Sequence, residues 1–245
     1  VQRFKDLSDT RFTSREQVRK YVHTRWRYVM RKLEWNLRWE ISEAALQPGA
    51  KVVDFGCADQ PYRALLPTTV EYLGADLPGN SMAQLEIGPD NRLPLPESSA
   101  DLVMSTQVLE HVEDPRKYLA EAYRVLKPGA RLLLSTHGVF KYHGDPADYW
   151  RWTHSGLKRE VGNAGFEILE QRGIVGAVPT GFQYMMDHLD PYIPTQFFKR
   201  IAYWITQLLV SGMDRLYSQG KRNTGALSFM VRARKPLGPS TPEPR

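Results

Sequence analysis

The stretch that decides the fold is KVVDFGCADQPYRALL at 51–66, followed by VEYLGADL at 70–77. KVVDF is a short β-branched run that enters a turn at Gly56, and VEYLGAD is a second such run that ends on Asp76. Two apolar runs separated by a turn and a helical segment predict the opening of a βαβ unit. GCADQPYRALL is accordingly expected to pass from the turn into a helix whose N-terminus faces a ligand. Gly56 and the small Ala58 let the backbone approach that ligand. Asp76 stands some twenty residues on, where open α/β sheets place a carboxylate to bond the two hydroxyls of a ribose.

Outward from this unit the alternation continues. Strands are expected at 100–106 (ADLVMST) and 130–136 (ARLLLST), with a helix at about 114–126 and a Lys-Pro-Gly stop at 127–129 between them. A helix near 155–164, a strand at 166–172, a helical insertion at about 181–219 and a last strand at 226–234 follow. The pattern predicts a largely parallel, Rossmann-like α/β sheet of seven strands with helices on both faces. Upstream, Ser14 and Gln17 form a capping-box pattern ahead of a stretch free of Gly and Pro until Pro48. Val18, Tyr21, Val22, Trp26, Val29, Met30, Leu33, Leu37 and Ile41 recur there at helical spacing. The expected organisation is a basic N-terminal helical cap (1–47), one catalytic domain (48–235) with the insertion, and a Pro-rich disordered tail (236–245).

The chain has 245 residues, 42% hydrophobic and 24% charged, with a net charge of +6 and one cysteine. Such a composition excludes a disordered, collagen-like or polytopic membrane protein, and Cys57 alone excludes an intrachain disulfide framework. The charge excess lies in residues 1–40, with 11 Lys and Arg against 5 Asp and Glu, while the remainder balances at 22 and 22. A basic, aromatic-rich helix could meet a phosphate-bearing substrate, an anionic membrane surface or nucleic acid, or be a solvated face on a packed helix. The N-terminus lacks a signal-peptide pattern, so a cytoplasmic protein, peripheral to a membrane at most, is expected.

A dinucleotide oxidoreductase needs a G-x-G-x-x-G turn to approach a pyrophosphate, and GCADQP does not supply it. Instead VVDFGCAD, YLGADL, PDNRLPLPESSADLVMSTQVLEHVEDP and YLAEAYRVLKPGARLLLS, in that order over about 50–175, resemble the class I S-adenosylmethionine-dependent methyltransferases. That family's first turn reads D-x-G-x-G-x-G. Asp54 and Gly56 match, whereas Ala58 and Gln60 replace the later glycines. Gln60-Pro61-Tyr62 resembles a variant common among methyltransferases of glycan and natural-product clusters. The resemblance implies S-adenosyl-L-methionine as cofactor, with Asp54, Gly56, Cys57 and Ala58 around its methionine part, Asp76 on the ribose and Leu77 on the adenine. It further implies Asp90 with Asn91 at the adenine amino edge, unless Asp90 is a turn residue, and Gln107 beside the cofactor.

VLEHV at 108–112 opens the acceptor side, although Glu110 and His111 could equally be a structural pair. STHGVFKYHGDPADYWRWTHSG at 135–156 holds His137, His143 and His154, three of the six histidines. Loops at the carboxyl edge of a parallel sheet are where ligands bind. His143, then His111, is therefore the expected base, and His137, Tyr149 and Arg151 the expected acceptor contacts. The alternative is a packing corner in which Arg151 pairs with Asp148. No metal site is expected, since no paired-cysteine, H-x-x-x-H or carboxylate spacing appears.

The expected reaction is O-methylation of a small-molecule acceptor: a sugar, a lipid-linked glycan or a natural-product hydroxyl. C- or N-methylation, or a nucleic-acid or protein substrate, are the alternatives; no nucleic-acid partner is expected, for want of a binding module. Within the insertion Phe197, Ile201, Ile205, Leu208, Leu209, Gly212 and Leu216 share one helical face. That face suits a membrane interface, a greasy substrate, core packing or a dimer contact.

Overall fold

A computed structural model describes residues 25–144 and 147–237. The expected capping box at Ser14 and the tail from 238 onward lie outside the described residues. The seven strands are β1 (Lys51–Phe55), β2 (Glu71–Asp76), β3 (Leu85–Glu86), β4 (Ala100–Thr106), β5 (Leu126–His137), β6 (Glu167–Ile174) and β7 (Ser228–Arg234). They form one mixed sheet in the order β3-β2-β1-β4-β5-β7-β6, parallel except that β7 runs against both β5 and β6. The expected Rossmann-like architecture is thus observed.

The described helices are α1 (Arg27–Glu43), α2 (Pro115–Val125), α3 (His154–Asn163), α4 (Ala177–Leu189), α5 (Gln196–Arg215) and the short α6 (Gln219–Arg222). Local chemistry fixes their starts. Asp114 caps α2 by accepting from the Arg116 and Lys117 N–H groups, with Pro115 at the first turn, and Thr153 and Thr195 cap α3 and α5. Two expectations need correction. The Lys-Pro-Gly stop lies inside β5, where Gly129 at φ +81° accommodates a register shift against β4. The helix expected after β1 is absent: a single 3-10 turn, Arg63–Leu65, occupies that crossover. Pro61 and Pro67 leave only a few residues between them, and Gln60 sits at φ +56°, so an α-helix cannot propagate there.

α1 covers the sheet face that the missing helix leaves bare. Its Ile41 packs with Val52, Leu102, Met104 and Leu133, while Val29, Leu33 and Leu37 pack with Ile174, Leu227 and Met230. The opposite face buries Val53, Val103, Leu132 and Leu134 under α2 and α3, through Leu119, Ala122, Leu157 and Val161. α1 is also ion-paired to the sheet, since Glu40 meets Arg172 at 3.0 Å and Arg232 at 3.4 Å.

Candidate active site

The carboxyl ends of β1, β2, β4 and β5 place Gly56, Asp76, Gln107 and His137 along one edge. The turn after β1 is built from left-handed residues, Gly56 at φ +85°, Ala58 at +44° and Gln60 at +56°. Only glycine fits the first of these, because a Cβ there would stand 2.5 Å from Val108 Cγ2. This contact presses the turn against the exit of β4. The Gln60 side chain folds away, donating to the Met82 carbonyl, and Gly74 leaves room for it. Cys57 also turns inward and is buried, its thiol pushed up to about 12 by burial, so only its backbone can face a ligand. Asp54 is buried as well; it accepts from the Tyr72 hydroxyl at 2.7 Å, and burial pushes its carboxyl up to about 7.

Asp76 is held by three donors: Leu77 N–H at 2.8 Å on one oxygen, and Ala58 N–H at 2.8 Å and Asn80 Nδ2 at 2.6 Å on the other. A carboxylate offers about four lone-pair sites, so acceptor capacity for a diol remains. Leu77 beside it is 52% exposed, an apolar surface next to a charged acceptor. A fixed carboxylate, an exposed leucine and a glycine turn that a side chain would block fit the nucleoside and amino-acid parts of S-adenosylmethionine. Asp90 and Asn91, both left-handed, lie beyond β3; Asp90 is turned outward onto Lys117 Nζ at 2.6 Å, in a surface pair.

On the acceptor side the histidines converge. The rings of His111 and His143 are 4.7 Å apart and those of His137 and His143 5.0 Å. His143 Nδ1 lies 3.2 Å from Asp148 Oδ2. Burial holds the His143 imidazole below the usual range, with Asp148 opposing, so it is neutral at pH 7. Although its own burial disfavours the charge, Arg151 holds the Asp148 carboxyl well below the usual carboxylate range. His111 Nδ1 bonds the Ala147 carbonyl, which leaves Nε2 open.

His137, expected at the acceptor, is instead buried: it stacks on Phe140 at 3.8 Å, and Trp26 stacks on Phe140 at 4.8 Å. Its Nε2 is 3.1 Å from Glu110 Oε1. Burial drives the imidazole down and the Glu110 carboxyl up. Glu110 also accepts from Thr136 Oγ1 at 2.8 Å, and its backbone carbonyl accepts from the Tyr149 and Trp150 N–H groups. It therefore buttresses the loop, and the structural alternative describes it. Arg151, expected to bind the acceptor, spends its donors on Asp148 and on the Phe140, Lys141 and Trp150 carbonyls. It fastens the loop that carries His143. Tyr149 is 53% exposed.

A polar relay joins the two halves of the site. Gln107 Nε2 donates to Ser135 Oγ at 2.9 Å, and its Oε1 faces Ser228 Oγ, which contacts His137 Nδ1 at 3.3 Å. Ser228 lies on the antiparallel strand β7, and no local sequence signal marks it. The fold also gathers ligand atoms of Glu110, His137 and His143 within 4.8 Å of one another, a set that could hold a metal ion. Linear spacing, the basis for expecting no metal site, does not show this grouping.

Residues 53–134 match the family model described as a methyltransferase domain. Together with the sheet order and the turn after β1, this match supports the class I S-adenosylmethionine-dependent methyltransferase family. A Mycolicibacterium smegmatis protein named as a probable S-adenosylmethionine-dependent methyltransferase is 48% identical over 88 residues, 34% of each chain. A ubiquinone biosynthesis O-methyltransferase of Ruegeria pomeroyi is 26% identical over 64% of this chain and 73% of its own length. The first curated relatives are matched over only 30%, 34% and 16% of their lengths. In fold the chain is similar to the [4+2]-cyclase SpnF, with a TM-score of 0.54 at 20% identity over 83% of this chain and 81% of the other.

Proposed function

We propose that the protein O-methylates a small-molecule acceptor, a sugar, a lipid-linked glycan or a natural-product hydroxyl, with His143 as the base. The observation that carries this reading is the His143–Asp148–Arg151 arrangement, set at the carboxyl edge of the sheet with the His143 ring 5.0 Å from that of His137, which meets Ser228 and through it Gln107.

The cofactor supplies, when bound, an electrophilic methyl group on a sulfonium. Asp76 and Leu77 would hold its nucleoside, and the Gly56–Ala58 backbone, with Gln107, its amino-acid part. A hydroxyl is a weak nucleophile until its proton is removed, and a positioned base contributes about 10² to 10⁴ in rate. Asp148 holds the His143 backbone N–H and stands 3.2 Å from Nδ1, so a ring proton on that side would leave Nε2 to take the acceptor's proton. Arg151 holds Asp148, and His111 stands beside the ring as the second candidate. Among curated relatives, ubiquinone biosynthesis and malonyl-[acyl-carrier protein] O-methyltransferases favour oxygen over carbon or nitrogen.

The test is methyl transfer from labelled S-adenosylmethionine to a panel of sugars, lipid-linked sugars and phenolic hydroxyls, with the product bond located by mass spectrometry. An O-linked methyl lost in His143→Ala supports the reading; an N- or C-linked methyl overturns it.

A further inference from the structure

The helical insertion is folded inside out. Its buried side is largely polar: beside Pro179 and Val210, α4 buries Thr180, Gln183 and Asp187, and α5 buries Thr206 and Asp214. These groups are bonded inward. Gln207 Nε2 donates to Gln183 Oε1 at 2.8 Å and to the Arg25 carbonyl at 2.6 Å, and Gln207 Oε1 accepts from the Tyr28 N–H. Asp214 accepts from Gly176 N–H and the Tyr28 hydroxyl, each at 2.8 Å, and pairs with Lys32 and Arg222. The outward side is apolar. Phe197 (67% exposed), Ile201, Trp204 (66%), Ile205, Leu208 (58%) and Leu209 run along α5, and Val178, Met185 and Leu189 continue the surface on α4. A helix pair whose only partner is its own domain has the opposite pattern, and a contiguous exposed apolar surface marks an interaction site.

Charge selects the occupant. The acidic residues between 177 and 217 are Asp187, Asp190 and Asp214, whose side chains are 1%, 15% and 0% exposed and all ion-paired inward. The exposed charges on α5 are Arg200 and Arg215, one near each end. An apolar stripe between cationic ends, without an outward carboxylate, matches an anionic bilayer interface. A second copy would instead bring arginines against arginines. α5 spans about 30 Å, and no helix among the described residues is long and apolar enough to cross a membrane. On a bilayer it would lie in the plane. We propose that the outer face of the α4–α5 pair seats the protein on an anionic phospholipid surface, with Trp204, Phe197 and Tyr192 at the headgroup level. This inference rests on the insertion alone and is independent of the acceptor's chemistry.

The test is co-sedimentation of the full chain with vesicles of phosphatidylcholine alone or mixed with phosphatidylglycerol. Binding to the anionic vesicles, weakened by salt, is expected, and Ile201→Glu with Leu208→Glu should lower it about tenfold or more at an unchanged melting temperature. Arg200→Glu with Arg215→Glu should remove the preference for anionic lipid. A parent that sediments with neither vesicle overturns the proposal, as does a Glu-substituted chain that binds like the parent. A dimer in light scattering that those glutamates dissociate, with no vesicle binding, assigns the face to a second copy and overturns it too.

Discussion

Asp148 grips His143 twice: its Oδ2 accepts the histidine's backbone N–H at 2.8 Å and stands 3.2 Å from the ring Nδ1. The residue expected to move a proton is thereby anchored at its main chain, with its ring beside the same carboxylate, itself held by Arg151.

His143→Ala should lower kcat by about 10² or more while leaving S-adenosylmethionine affinity unchanged by calorimetry, because a base acts chiefly in the transition state. His111→Ala is the control. Equal loss in both, or a silent His143 variant, would move the base. A chelator should leave the rate unchanged; a loss restored by a divalent ion would make Glu110, His137 and His143 metal ligands instead.

The pH profile gives a separate check. Only neutral imidazole accepts a proton, and the His143 pKa is held below the ordinary histidine range, so kcat should stay level through pH 6.5 or so and fall only at lower pH. In Asp148→Asn the carboxylate that opposes this depression is gone. The acid limb should move lower still while the plateau falls several-fold; a limb that stays in place would deny the contact a role.

Asp76→Ala should weaken S-adenosylmethionine binding by about 1.5 to 3 kcal/mol, the range of charge-assisted hydrogen bonds, without slowing a saturated enzyme to the same degree. Parent-like calorimetric affinity would remove Asp76 from the cofactor site.

Asp54 concerns stability. Its carboxyl is raised to about 7 in the folded chain, so the fold favours its protonated form. Stability from this group is present at low pH and declines as pH rises from the unfolded value near 3.9 through 7. Resistance of the parent to urea should decline between about pH 4 and 7, and Asp54→Asn should flatten that decline. An identical slope in both chains would refute the assignment.

At Asp214 the sign reverses. Burial alone would raise its pKa, but Lys32 and the Gly176 and Tyr28 donors hold it below the usual range. Its contribution is present above the unfolded value and lost as pH falls through the folded one. Asp214→Ala should cost about 3 to 5 kcal/mol at pH 7, since Lys32 and Arg222 lose a buried partner. A cost below 1 kcal/mol would show that water replaces it.

Much of the sheet was legible because KVVDF, ADLVMST and ARLLLST are compact apolar runs between turn signals, as buried parallel strands should be. Asp76 was legible for the same reason, standing where such a strand ends. The missing crossover helix was equally written in Pro61 and Pro67, but the expected βαβ pattern outweighed them. Along α5 the stripe from Phe197 to Leu209 was assigned to one face, yet periodicity cannot say which face meets the protein. That depended on Arg25 and Lys32, far upstream, which draw Asp187, Asp190 and Asp214 inward. The convergence of Glu110, His137 and His143 comes from β5 and two loops meeting in space, and no spacing rule encodes that.

The placement of α1 has a consequence for synthesis on the ribosome. The helix is made early, yet its partners include Ile174, Leu227 and Met230, and its Glu43 meets Arg232 across a separation of 189 residues. At about 5 to 20 residues per second, its apolar stripe waits on the order of ten seconds or more for β7 to emerge. Val29, Leu33, Leu37 and Ile41 thus stay without their folded partners until the last strand closes the sheet.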